Sequence, residues 1–138
     1  MSADAPDIHF QGEGLSIGLT MVESEEQSGS IRFAVAVNWR HAFRSAPTSA
    51  SRWGEHWVAH EALDQFEGDL DRADAAVLRD LSGHGVLEVM PGSDTSVLIR
   101  GSTATFGYGE GPPAATVTVA ADTMKAWSKT LRDFPRWW

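Results

Sequence analysis

The chain contains no cysteine. That excludes disulfide frameworks, thiolate zinc sites, iron–sulfur clusters and cysteine nucleophiles. Long apolar runs are also missing: the longest are short and broken by charge or glycine, whereas a membrane-spanning helix needs about 20 apolar residues. Residues 1–7 (MSADAPD) are acidic and poor in apolar side chains, where a secretory leader has a positive start and an apolar stretch of about 7 to 15 residues. They are expected to be disordered, and the expected location is cytoplasmic. Basic charge is scarce as well, with 11 Lys+Arg against 19 Asp+Glu and a formal net charge of −8. Nucleic-acid binding by counterion release needs clustered Lys and Arg, so a nucleic acid is not an expected partner, and with its short apolar runs neither is a membrane.

What is present is enough for one packed domain over residues 8–138. At 138 residues with 42% hydrophobic side chains, a chain can bury roughly two-thirds of its unfolded surface without metal or disulfide support. Charge is distributed in blocks. Residues 1–26 carry Asp4, Asp7, Glu13, Glu23, Glu25 and Glu26 with no Lys or Arg, and residues 32–52 carry Arg32, Arg40, Arg44 and Arg52 with no acid. Residues 55–80 return to acidic, and Lys125, Lys129, Arg132 and Arg136 make the end basic. Such blocks ordinarily face each other or solvent across a small fold.

Leu15, Ile17, Leu19 and Met21 share one parity, and Ile31, Phe33, Val35, Val37 and Trp39 share another, on either side of the polar stretch ESEEQSGS at 23–30. Period-two alternation of this kind predicts two half-buried strands joined as a long hairpin. Ile8 and Phe10 predict a short strand before them, with Gly12 and Gly14 at the bend. Residues 40–57, rich in Ser, Ala, Thr and Pro, lack sustained periodicity and read as a surface loop or a frayed strand pair. Leu63, Phe66, Leu70 and Ala73 recur at spacings of 3, 4 and 3, which predicts an amphipathic helix over about 60–74 with its acids early, toward the positive end of the helix dipole.

From Ala76 to Ala120, short β-rich runs at 77–78, 86–90, 97–99, 104–108 and 116–120 are separated by turn residues, the pattern of an antiparallel meander. Asp122 is placed to cap a second helix over about 123–134, whose stripe is Met124, Trp127, Leu131 and Phe134 and which Pro135 ends. The expected fold is therefore a single α+β domain, a curved antiparallel sheet of about 5–7 strands with two amphipathic helices against one face or end. The shared 3-4-3 stripe does not by itself mark an internal duplication, because any amphipathic helix covering a sheet shows it.

A strand ending in a tryptophan-bearing segment, the L-x-x-F-x-x-x-L stripe (Leu63, Phe66, Leu70), a glycine-flanked meander and the terminal W-x-x-x-L-x-x-F-P (Trp127, Leu131, Phe134, Pro135) together resemble small bacterial domains of unknown function. Some of these are grouped with immunity proteins of contact-dependent toxin systems, of the wall-associated-protein immunity type. The resemblance covers residues 31–136 and rests on core hydrophobes and loop lengths. Residues 40–57 depart from it in being longer and richer in Arg and Trp. It implies an α+β fold and a protein partner, and it transfers no catalytic motif.

The remaining candidates for chemistry are few. His56 and His60 lie four apart, the spacing of two ligands on one helical face, but the segment HWVAH is not H-E-x-x-H and no third ligand is identifiable, so no metal or cofactor is expected. Gly107–Gly111 (GYGEG) is followed by two prolines and a strand pattern, which fits a turn and not a phosphate loop opening a helix. Ser82-Gly83-His84-Gly85 sets a hydroxyl beside an imidazole without a G-x-S-x-G elbow, and reads as a tight turn. The acids Asp64, Glu67, Asp69, Asp71 and Asp74 read as the solvated face of a helix. Trp53 and Trp57 beside Arg40, Arg44 and Arg52 are the composition of a partner-binding patch, against the alternative that they plug one end of the sheet. The expected function is non-enzymatic capture of a protein partner, such as a basic toxin domain, as an immunity protein does. The alternatives are a small-molecule binder or enzyme with its site between sheet and helices, and a homodimer whose aromatic patches meet.

Overall fold

The computed structural model describes residues 7–43, 46–93, 96–100, 114–135 and 138, with side chains described over 7–38, 54–93, 116–135 and 138. The disorder expected of the extreme N-terminus therefore concerns, apart from Asp7, residues outside the described ones. The fold is α+β, with two helices and, among the described residues, two four-stranded sheets.

The first sheet is an up-and-down meander of β1 (Ile8–Gly12), β2 (Leu15–Glu25), β3 (Ser30–Phe43) and β4 (Ala46–Ala59), each antiparallel to the next. The alternations that predicted β2 and β3 pair in register, Ile17 with Val37 and Leu19 with Val35. Leu15, Ile17 and Leu19 of one parity and Ile31, Phe33, Val35 and Val37 of the other are buried, whereas Met21 is exposed. A bulge between Met21 and Glu23 interrupts the ladder near the hairpin end and leaves Val22 exposed. The hairpin turns at 26–29, closed by the Gly29 N–H donating to the Glu26 carbonyl at 3.3 Å, with Gly29 at φ +62°. Of the stretch 40–57, residues 40–43 and 46–57 belong to a strand pair: Trp39 pairs with Ala50 and Arg32 with Trp57 along β3 and β4.

Helix α1 (His60–Asp71) follows β4 directly. No side chain caps it; the Gly29 carbonyl of the β2–β3 turn accepts from the His60 N–H at 2.8 Å and satisfies one of the orphan amides of the first turn. The helix ends three residues earlier than its stripe suggests, because Ala73 turns left-handed at φ 54°. The Ala73 and Asp74 amides then close back on the Leu70 and Asp69 carbonyls, both at 3.0 Å, a C-terminal motif that ordinarily takes glycine.

The second sheet holds β5 (Ala76–Arg79), β6 (Gly85–Pro91), β7 (Ser96–Arg100) and β8 (Ala114–Val119) in the order β5-β6-β8-β7. Here the structure corrects the meander expected over 76–120: β8 lies between β6 and β7 and runs parallel to β6, Val89 beside Val117. The physical reason is that a period-two pattern specifies which face of a strand is buried, not which strand lies beside it. Of the strand runs expected there, 104–108 lies outside the described residues.

Helix α2 (Ala121–Arg132) starts after Ala120, so Asp122 sits in the first turn and does not cap. Its carboxylate still lies at the favourable end of the helix dipole. Ser128 Oγ donates to the Glu67 carbonyl of α1 at 3.2 Å. Trp127 stacks on Phe10 at 5.1 Å between ring centres and donates from Nε1 to the Gln11 carbonyl of β1 at 3.0 Å. Past the helix end, Phe134 remains buried and meets Phe33 at 6.0 Å. One apolar core runs through β1–β4, both helices and the second sheet.

Candidate functional site

The charge blocks meet as their signs require. Arg132 of α2 reaches Glu67 at 3.3 Å and Asp71 at 3.4 Å on α1, and Lys125 donates to the Asp71 carbonyl at 3.2 Å. Arg72 pairs with Asp69 and with Asp74. The acidic row of α1 is thus largely engaged toward its C-terminal half.

The N-terminal end of α1 carries a different surface. The Gly29–His60 backbone bond holds the β2–β3 turn, which follows the exposed Glu25 and Glu26, against the start of the helix, which carries the exposed Glu61 and Asp64. Trp138 folds back onto this corner, stacking on the His60 ring at 3.9 Å and donating from Nε1 to Asp64 Oδ2 at 3.1 Å. It remains 37% exposed. Two β3 residues further along, on the outer face of the first sheet, Arg32 lies over the Trp57 ring at 5.8 Å, between Glu23 at 3.1 Å and Glu55 at 3.6 Å. The outer face of the β3–β4 pair thus carries Glu23 and Glu55 around Arg32 and Trp57, and the start of α1 carries Asp64 and Glu61 with Trp138.

Of the residues singled out for partner binding, Trp57 falls on this surface, half-buried. Arg44, and the side chains of Arg40, Arg52 and Trp53, lie outside the described residues. In backbone register Arg40 pairs with Ser49, Arg52 with Val37 and Trp53 with Ala36. The Gly107–Gly111 stretch and Trp137 also lie outside.

The two histidines read at helical spacing are not on one helical face. His56 is on β4 and His60 opens α1, and no group of three metal-ligating side chains converges among the described residues. His56 instead points inward, 6% exposed, with Nδ1 at 3.9 Å from Asp80 Oδ2 in the turn between β5 and β6. Burial pushes its pKa below the ordinary histidine value, and the nearby Asp80 carboxylate opposes this only in part. The other oxygen of Asp80 accepts from the Ser82 N–H at 2.9 Å and the His84 N–H at 3.0 Å, which makes Ser82-Gly83-His84 the tight turn expected. The sequence signal for His56 is its parity with Val58 on β4. Asp80 is distant in the chain, so no spacing announces the pair.

Compared with protein-family models, curated proteins and solved structures, the chain matches none. No described helix is long and apolar enough to cross a membrane.

Proposed function

We propose that the chain is a non-enzymatic protein-binding domain that captures a basic partner through the acidic, tryptophan-bearing end of its first sheet. The observation that carries this reading is the partly exposed Trp138 held on His60 and Asp64 at the start of α1, which also carries Glu61 and is bonded to the β2–β3 turn that follows Glu25 and Glu26. An excess of one sign on a rigid surface accelerates encounter with the opposite sign, and exposed tryptophans supply the anchoring area that long-range attraction cannot. The resemblance to immunity proteins narrows the partner to a toxin domain with a basic face.

The test is affinity capture from the lysate of a host that expresses its toxins, with charge-reversed protein (Glu25→Lys with Glu61→Lys) as the parallel bait. A single stoichiometric basic partner is expected, lost on charge reversal and bound more slowly at high salt. Absence of such a partner, or its equal capture by the reversed bait, overturns the reading.

A further inference from the structure

Among the described residues, His56 is the buried histidine, and it sits where the two sheets are joined. Its strand, β4, is held to the β5–β6 turn by the Leu81 N–H, which donates to the Trp57 carbonyl at 2.8 Å, and next to that bond the His56 ring faces Asp80. Asp80 organises that turn, receiving the Ser82 and His84 amides on Oδ1, while its own N–H and carbonyl bond to the His84 carbonyl and the Gly83 N–H, each at 2.9 Å. The carboxylate is therefore committed. Turning Oδ2 in from 3.9 Å to hydrogen-bond a protonated imidazole pulls Oδ1 away from two amides.

We propose that His56 and Asp80 form an acid-sensitive latch between β4 and the β5–β6 turn, closed while His56 is neutral and released when it takes up a proton. The charged and titratable groups around it are few. From the turn come Asp80 and, behind it, the exposed His84, whose Nδ1 lies 3.9 Å from Oδ1, with Arg79 donating to the Gly83 carbonyl at 3.2 Å. From β3 the residue opposite is the uncharged Phe33. Arg32 and Glu55 occupy the other face of the sheet and pair there with each other.

An imidazolium in this position loses its hydration and gains one carboxylate at more than hydrogen-bond distance, so opening the turn to water is the favourable response. The sign follows from the lowered pKa. Closure is full above the ordinary histidine value of 6.5 and is lost as pH falls from there toward the depressed folded-state value. The latch stands independently of the proposed partner.

The test is hydrogen exchange of the amides of residues 81–84 in the full chain, corrected for intrinsic rate, together with an NMR titration of the histidine side chains between about pH 8 and about pH 5. Protection is expected to begin falling near pH 6.5 and to level off where His56 itself titrates in the folded chain. Each tenfold difference in proton affinity between the open and closed forms appears as about a tenfold loss. His56→Leu, which keeps the site apolar, should abolish the pH dependence, and His84→Gln should retain it. Protection that stays constant over this range, follows the titration of His84, or still falls in His56→Leu overturns the proposal. Should the His56 variant fail to fold, the wild-type comparison decides alone: a fall in Leu81 protection that begins near pH 6.5 and levels off at the His56 midpoint supports the latch, and one that continues below that midpoint or never begins refutes it.

Discussion

The contact on which α2 depends is that of Trp127 with β1, and its removal is the most informative single perturbation of the fold. Trp127 is 2% exposed, stacks on Phe10 and holds the Gln11 carbonyl. Truncating a buried tryptophan to alanine costs about 3 to 5 kcal/mol, against a total stability of about 5 to 15 kcal/mol. For a domain of this size that lowers the melting temperature by about 10 to 15 °C. Trp127→Phe separates the contributions, since it retains an aromatic ring against Phe10 and loses the N–H donor. The lost hydrogen bond and the smaller ring together come to about 1 to 2 kcal/mol, because the carbonyl it leaves belongs to an exposed residue and can find water. Urea unfolding followed by far-ultraviolet circular dichroism is the appropriate assay, because tryptophan fluorescence changes with the substitution itself. The reasoning fails if Trp127→Ala costs under about 1 kcal/mol, or if Trp127→Phe costs as much as Trp127→Ala.

Ser128→Ala removes the hydroxyl that joins α2 to the Glu67 carbonyl and is expected to lower stability by about 1 kcal/mol in the same assay. Ala73→Gly relieves the left-handed residue at the end of α1 and should leave stability unchanged or raise it by up to about 1 kcal/mol, whereas Gly29→Ala imposes the same strain on the β2–β3 turn and should lower it by about 1 kcal/mol. Gly92→Ala drives a methyl group into Thr118 of β8 and should destabilise the second sheet, read as faster exchange of β8 amides. Trp57→Ala should weaken capture of the basic partner while leaving the unfolding midpoint nearly unchanged; a variant that unfolds instead places Trp57 in the structural core.

The fold was legible in the sequence wherever one element's own period decided the matter. Leu15, Ile17 and Leu19 of β2, Ile31, Phe33, Val35 and Val37 of β3, and the stripes Leu63-Phe66-Leu70 and Met124-Trp127-Leu131 are buried as their spacing marks, while Met21, beside the bulge, is exposed. β4 was half-legible, because Ser, Ala and Thr on a strand paired along one edge give no alternation of hydrophobicity. The parallel β6–β8 pair was illegible, since Val89 and Val117 look the same whichever neighbour they take. The candidate surface follows the same division. The acids of α1 are plain in the sequence, but the Gly29–His60 bond that ties the helix start to the β2–β3 turn is not, and the stacking of Trp138 on His60 spans the length of the chain beyond α1.

The order β5-β6-β8-β7 has a consequence for how the molecule is made. Every strand of the first sheet pairs with its immediate successor, so that sheet can assemble by successive hairpin closures while the rest of the chain is still unstructured. The second sheet cannot: Leu87 must wait for Ala115, and β7 pairs with β8, not with the β6 that precedes it. Closing that longer loop is the entropically dearer event. β6 therefore waits with one edge unpaired until β8 arrives, and this interval is when a second unfolded chain competes most effectively for it.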